Sequence, residues 1–332
     1  MMRKVLLLLA CLLGVSCLKA AEGPFSRIGT KYPGLIYKVG DDGRLYQCYL
    51  GKRLAREADW NPLPLATEAY VTHGMEDYFE PALRVLHNDG NPSLLLKYVS
   101  HETQEPAPGV SETVILLEDE QYPVQVKLHY VAYREENLLK TFTEISHEEK
   151  KPVTLYRYAS SMLHLDRVAY YLTEFSGDWA SETHMQEQRL AFGKKVLDTK
   201  LGARANMFCS PFFLLSLDGE ARETAGEVLV GTLGWTGNFR FTFEVDNTGA
   251  LRLLAGINPY ASEYELPRGE VFRTPDFYFT YSTEGTGKAS RDFHDWARRH
   301  QLKDGMETHM TLLNNWEATY FDFDEQKLTR LM

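Results

Sequence analysis

The chain is expected to be mainly β: a large antiparallel β-supersandwich, then a helical linker, then the first βα unit of a truncated (β/α)₈ barrel. Three observations carry this expectation. Short apolar stretches with turn residues between them fill positions 36–284. The apolar period then changes from strand-like to helical between Gly285 and Gly305. Beyond it, the run Leu312 to Phe323 ends in Trp316, Glu317 and Asp322 before the charged helix start Asp324-Glu325-Gln326-Lys327. Polar groups at the C-terminal end of an apolar strand are where such barrels place their chemistry. The domain reading follows: a signal peptide over 1–21, the sandwich over 22–284, the linker over 285–305 and the start of the barrel over 306–332.

Met1 to Lys19 opens with Arg3 and Lys4, runs apolar from Val5 to Leu13 and reaches small residues. That is the pattern of an export signal, too short to span a bilayer as a helix. Cleavage near Ala20 or Ala21 is one exit. The other treats Gly14-Val15-Ser16-Cys17 as a relaxed lipobox with Cys17 lipidated, giving a membrane-anchored lipoprotein. Either way the protein is exported, to the periplasm or the extracellular space. Loss of Arg3, Lys4 and Lys19 moves the formal charge from −10 to −13, because no acid leaves with them. An acidic chain without a basic stripe does not bind a nucleic-acid backbone, and uncharged ligands such as sugars suit it better. Cys48 and Cys209 remain after the signal and are either a disulfide pair or two small buried hydrophobes.

Within the β-rich part, Val124 to Tyr130 alternates at period two, one face for a core and one for water. Lys151-Pro152 breaks the chain before the alternating Val153 to Tyr158. Glu227 to Trp235 and Phe239 to Val245 flank Thr236-Gly237-Asn238, a hairpin signal. Asp246 to Gly249 turns the chain again into Leu251 to Ile257. Strands this short and this frequent build a sandwich, and no fixed-period repeat points to a propeller or solenoid. In the linker, Ala289, Phe293, Trp296, Ala297 and His300 share one helical face, with Arg298 and Arg299 near the C-terminal end that favours positive charge. His147 to Lys151 reads as a solvated turn, and the Tyr and Phe residues mostly as strand-face core.

Three stretches resemble glycoside hydrolase family 36 α-galactosidases. Gly74-Met75-Glu76-Asp77-Tyr78-Phe79-Glu80-Pro81-Ala82 is similar to a Gly-x-x-Asp-(Phe/Tyr)-x-x-Pro-Ala segment of that family. Gly177-Asp178-Trp179-Ala180-Ser181-Glu182-Thr183-His184 resembles its Trp-Ala-x-Glu-x-His segment, and Asn314-Asn315-Trp316-Glu317-Ala318 the entrance to its barrel. The resemblance implies hydrolysis of terminal α-galactosyl groups with retention, as in raffinose or melibiose. A related α-N-acetylgalactosaminidase is not separated from it by these residues. It implies that Trp316 walls the galactose subsite, where an aromatic face stacks on pyranose C–H groups. It implies that Asp77 accepts hydrogen bonds from sugar hydroxyls, in its own subunit's site or, in a homo-oligomer, a neighbour's.

The candidate substrate-binding residues are thus Asp77, Trp316, Glu317 and Asp322. Glu317 and Asp322 are not read as a catalytic pair, because five residues apart on one regular strand they face opposite ways. The resemblance implies that both catalytic carboxyls are aspartates of later barrel strands, beyond Met332, so the chain as written is expected to be inactive. No cofactor is expected. Glu182 and His184 could be two ligands of a metal, but no further ligands accompany them, so no metal site is expected either. The alternative function is a non-catalytic carbohydrate-binding sandwich, against which the apolar run 312–323 argues, since a stand-alone module has no use for it.

Overall fold

The computed structural model describes residues 25–75, 79–205 and 207–332. The signal segment with Cys17, and Asp77 with its two neighbours, lie outside the described residues. Among the described residues, three antiparallel sheets are built from twenty strands between Phe25 and Ser282. The smallest has four strands, β1 (Phe25–Gly29), β2 (Pro33–Val39), β3 (Leu45–Lys52) and β4 (Thr67–Glu68), in chain order.

The six-stranded sheet contains β5 (Leu83–Leu86), β10 (Val153–Leu165), β13 (Gly193–Asp198), β16 (Phe239–Val245), β17 (Leu251–Ile257) and β18 (Tyr264–Leu266). Its order is β13-β16-β17-β10-β18, with β5 also on β10. The ten-stranded sheet contains β6 (Leu96–Ala107), β7 (Val110–Asp119), β8 (Val124–Tyr133), β9 (Leu138–His147), β11 (Tyr170–Asp178), β12 (Ser181–Arg189), β14 (Cys209–Arg222), β15 (Ala225–Gly234), β19 (Val271–Arg273) and β20 (Asp276–Ser282). Its order is β12-β11-β14-β15-β20-β9-β8-β7-β6, with β19 on β9. The mainly β, antiparallel sandwich expected from the alternation is what forms.

The period-two pattern explains which faces meet. On β16, Phe239, Phe241 and Phe243 are fully buried, while Arg240, Thr242 and Glu244 alternate with them on the outer face. From the ten-stranded sheet Phe213 reaches into the gap, its ring 5.1 Å from Phe241 and 4.9 Å from Phe243, both edge-on. Edge-to-face rings fill the layer between sheets and align the ring quadrupoles favourably. The small sheet closes one end through Tyr37, 5.2 Å from Tyr130 of β8.

A single long helix covers part of the other face of the ten-stranded sheet. It is α2 (Gly285–Trp296), preceded by a one-turn α1 (Glu57–Trp60) far earlier, and it ends in a π-helical turn, Ala297–Gln301. Ala289 and Phe293 sit on Val228, Val230, Phe212 and Leu214, and Trp296 meets Tyr278 at 4.6 Å. Buried Asp292 accepts from Thr280 and from Lys288, and buried Glu136 accepts from Arg299 at 2.7 Å. The linker is therefore tied to the sandwich in mid-helix, through Asp292 and Thr280, and at its C-terminal end, through Arg299 and Glu136.

The tail keeps the expected order, an apolar segment and then a helix, but the apolar segment is not extended. Residues 308–315 carry no regular structure, Trp316–Thr319 makes one helical turn (α3), and α4 (Glu325–Leu331) follows with Asp324 capping Lys327 N–H. A parallel barrel strand holds its shape by hydrogen bonds to strands on both sides, and among the described residues none runs alongside. Local interactions then decide, with Asn314 accepting from Trp316 N–H at 3.0 Å and Asn315 O from Thr319 N–H. The reading of positions 312–323 as a formed strand is corrected accordingly.

The candidate carbohydrate-recognition loop

The chain on either side of positions 74–81 is stitched together, so it leaves and returns at one place. Ala82 N–H donates to Val71 O at 2.7 Å, and His73 N–H to Leu83 O at 3.0 Å. Gly74 opens the excursion at φ +91°, and a Cβ there would lie 2.9 Å from Ser93 Cα, so this position requires glycine. The far limb is gripped harder. Glu80 Oε1 accepts from Lys194 Nζ at 2.8 Å, and Oε2 from Arg157 Nη1. The Glu80 backbone N–H donates to Glu244 Oε2 at 2.9 Å. The guanidinium of Arg252 lies 4.5 Å from the centre of the Phe79 ring, a cation–π contact.

Arg157 follows an irregularity in the β10–β5 pairing between Leu155 and Arg157, and its guanidinium reaches Glu80 and the Pro81 carbonyl. Burial pushes its pKa down to about 10, aided by the nearby Arg240 charge and opposed by Glu244. It stays cationic at neutral pH. Beside the loop, His73, Arg84, Tyr156 and Glu263 border a cleft of about 350 Å³, with the Arg84 guanidinium 4.9 Å above the Tyr156 ring. Charged and hydroxyl-bearing groups of both signs suit a polyhydroxylated ligand better than an apolar one.

The remaining sequence candidates sit apart from this loop along the chain, on the tail. Trp316 is 45% exposed and meets the rings of Tyr320 at 5.5 Å and Phe321 at 4.9 Å. Glu317 is exposed on the same helical turn. Asp322 is almost wholly exposed and pairs with Lys327 Nζ at 2.7 Å. Glu317 and Asp322 are thus not on a strand at all, which removes the parity argument about their faces. The Gly177–His184 stretch forms the β11–β12 hairpin with Trp179 at its exposed tip, and His184 Nε2 bonds Ser181 Oγ at 2.7 Å. Cys48 and Cys209 are free thiols, each partly buried.

Sequence reasoning missed the grip on Glu80. Its partners Arg157, Lys194 and Glu244 come from three strands between 77 and 164 positions away, so no local spacing announces them. It also misplaced His147 and Glu149, read as solvated. Both are buried: His147 Nε2 meets Leu266 O at 2.9 Å, and Glu149 meets His87 Nδ1 at 2.6 Å.

Known families match this architecture along nearly all of the described chain. The family model for the glycosyl hydrolase family 36 N-terminal domain matches residues 43–267, and the melibiase model matches residues 271–332. Alpha-galactosidase Mel36A of Lactobacillus acidophilus is 28% identical over 320 residues, covering 91% of this chain and 42% of that protein. Probable alpha-galactosidase G of Aspergillus terreus is 27% identical over 288 residues, covering 82% of this chain and 39% of that protein. The crystal structure of alpha-galactosidase AgaA from Geobacillus stearothermophilus superposes with a TM-score of 0.84 at 25% identity, covering 92% of this chain and 47% of that one. The chain spans less than half the length of each of these relatives. The N-terminal family model alone takes in more than half of the chain, from β3 to β18, and the chain belongs to glycoside hydrolase family 36.

Proposed function

We propose that this chain is the sandwich and barrel entrance of an exported α-galactosidase acting on terminal α-galactosyl groups of raffinose- and melibiose-type oligosaccharides. The observation that carries the reading is the succession of the two family matches, one on the sandwich and one from β19 to the tail. AgaA of Geobacillus stearothermophilus, 25% identical, was crystallised as a variant in complex with raffinose. Export, by cleavage near Ala20 or Ala21 or by lipidation of Cys17, would deliver the protein to such sugars outside the cytoplasm.

In this reading the chain recognises and the barrel reacts. A retaining glycosidase needs two carboxyls about 5–5.5 Å apart across the anomeric carbon, one as nucleophile and one as acid and base. Glu317 and Asp322 are not assigned to that pair; with Asp77 and Trp316 they are assigned to substrate contact. The half-exposed Trp316 ring offers an apolar face to a pyranose, and the Asp77 carboxylate accepts from its hydroxyls. The tail supports the barrel reading over a stand-alone binding module. Met310, Leu312 and Phe321 are each more than four-fifths exposed, apolar surface of the kind a completed barrel covers.

The test is hydrolysis of p-nitrophenyl α-galactopyranoside by the 332-residue protein and by a polypeptide in which the barrel is complete. No turnover is expected from the first, and turnover releasing α-galactose first from the second. Specific hydrolysis by the pure 332-residue protein would overturn the division of labour. A complete enzyme that cleaves α-glucosides but not α-galactosides would overturn the substrate.

A further inference from the structure

We propose that Glu80 is a positioning residue that fastens the chain next to Asp77, at Phe79 and Glu80, to the outer face of the six-stranded sheet; this rests on the α-galactosidase reading above. The four neighbouring strands β13, β16, β17 and β10 each send one charged side chain to Phe79 or Glu80: Lys194, Glu244, Arg252 and Arg157 respectively. Two adjacent residues thus span the sheet crosswise. A carboxylate suits the hub because its two oxygens accept from two cations at once while the backbone N–H remains free to donate to Glu244.

The grip is local rather than a support for the sheet. The β16–β17 ladder is paired along its whole length, and β10 pairs with β17 from Ala159 to Leu165, without any help from the loop. Lys194 is 46% exposed and Glu80 21%, so that pair adds little to global stability. What the hub does set is the path of the chain from Phe79 to buried Ala82, the limb that follows Asp77 in sequence. A group that recognises a sugar from a loop needs its supporting residues held closely, because displacement of about 1 Å is enough to cost about a hundredfold in rate.

The experiment compares Glu80→Ala, Glu80→Gln and the wild type. Hydrogen exchange on the 332-residue protein reads the loop, and steady-state kinetics on p-nitrophenyl α-galactopyranoside, in an enzyme with a complete barrel, read the site. In Glu80→Ala, exchange across 74–82 should accelerate at least tenfold while β16 and β17 amides stay within twofold. KM should rise at least tenfold with a smaller change in kcat. Glu80→Gln keeps an acceptor for Arg157 and the backbone donor, and should recover most of both effects; it also serves should the alanine variant fold poorly. Unchanged loop exchange in both variants would overturn the proposal, as would a loosened loop with unchanged KM. Failure of the wild-type enzyme to cleave the α-galactoside would instead overturn the function and leave the anchoring intact.

Discussion

Replacing Gly285 by Ala should cost about 3 kcal/mol of stability, and replacing Gly90 by Ala about 1 kcal/mol. Both glycines have left-handed backbones, φ +81° and φ +90°. For an L-residue that conformation costs about 1–2 kcal/mol, less about 0.4–1 kcal/mol regained because alanine restricts the unfolded chain. At Gly90 nothing lies within 4 Å of an added Cβ, so the cost stops there. At Gly285 the Cβ would sit 2.5 Å from Ala225 N and 2.7 Å from Glu223 O, and closer still to Arg222 O. All three are backbone atoms of the β14–β15 turn and cannot swing aside, so overpacking adds a further 1–3 kcal/mol or so. The close approach exists because α2 docks its first turn on that turn, with Gly287 N–H donating to Glu223 O at 3.0 Å. Urea unfolding of the two variants and the wild type measures the difference directly. Equal costs for the two substitutions, within about 0.5 kcal/mol, would refute tight docking of the linker helix.

Other consequences follow from the same structure. Burial raises the Asp292 pKa above its ordinary 3.8 even though Lys288 pulls the other way. The native state therefore holds that proton more tightly, which favours the fold below pH 3.8 and is lost as pH rises through the raised pKa. The stability of Asp292→Asn relative to wild type should accordingly improve from acid towards neutral pH; a pH-independent difference would contradict this. Trp316→Ala in the 332-residue protein should change stability by less than about 0.5 kcal/mol, because the ring is half exposed and meets the rings of Tyr320 and Phe321 of the same tail. A large loss would mean that the tail packs on the sandwich. Burial, followed by the charges of Glu174 and Asp198, pushes the Cys209 thiol up to about 11. It should react with a disulfide reagent at pH 8 far more slowly than an ordinary exposed thiol; reaction at the ordinary rate would count against that burial.

The sandwich was legible in the sequence wherever alternation reports burial by itself. Val124 to Tyr130 lies inside β8, Phe239 to Val245 coincides with β16, and Leu251 to Ile257 with β17. The linker helix was legible for the same reason at a different period, with Ala289, Phe293 and Trp296 turned onto the sheet. What stayed hidden depends on partners far along the chain. Glu149 looks solvated among charged neighbours until His87, 62 positions away, stacks its ring on Tyr122 and meets the carboxylate. Glu80 looks like any loop acid until three strands converge on it. Positions 312–323 have strand composition, yet composition alone does not make a strand without neighbours to pair with. The candidate loop was found from resemblance; its fastening came only from the structure.

The most direct test of the account is the initial rate of p-nitrophenyl α-galactopyranoside hydrolysis by residues 1–332 joined to a complete family 36 barrel, beside the same joined protein carrying Asp77→Ala. Hydrogen bonds to a charged group are worth about 1.5–3 kcal/mol, so the account predicts cleavage by the first and a loss of about ten- to a hundredfold in kcat/KM in the second. Cleavage that is unaffected by Asp77→Ala would contradict the claim that this sandwich lends its loop to the sugar.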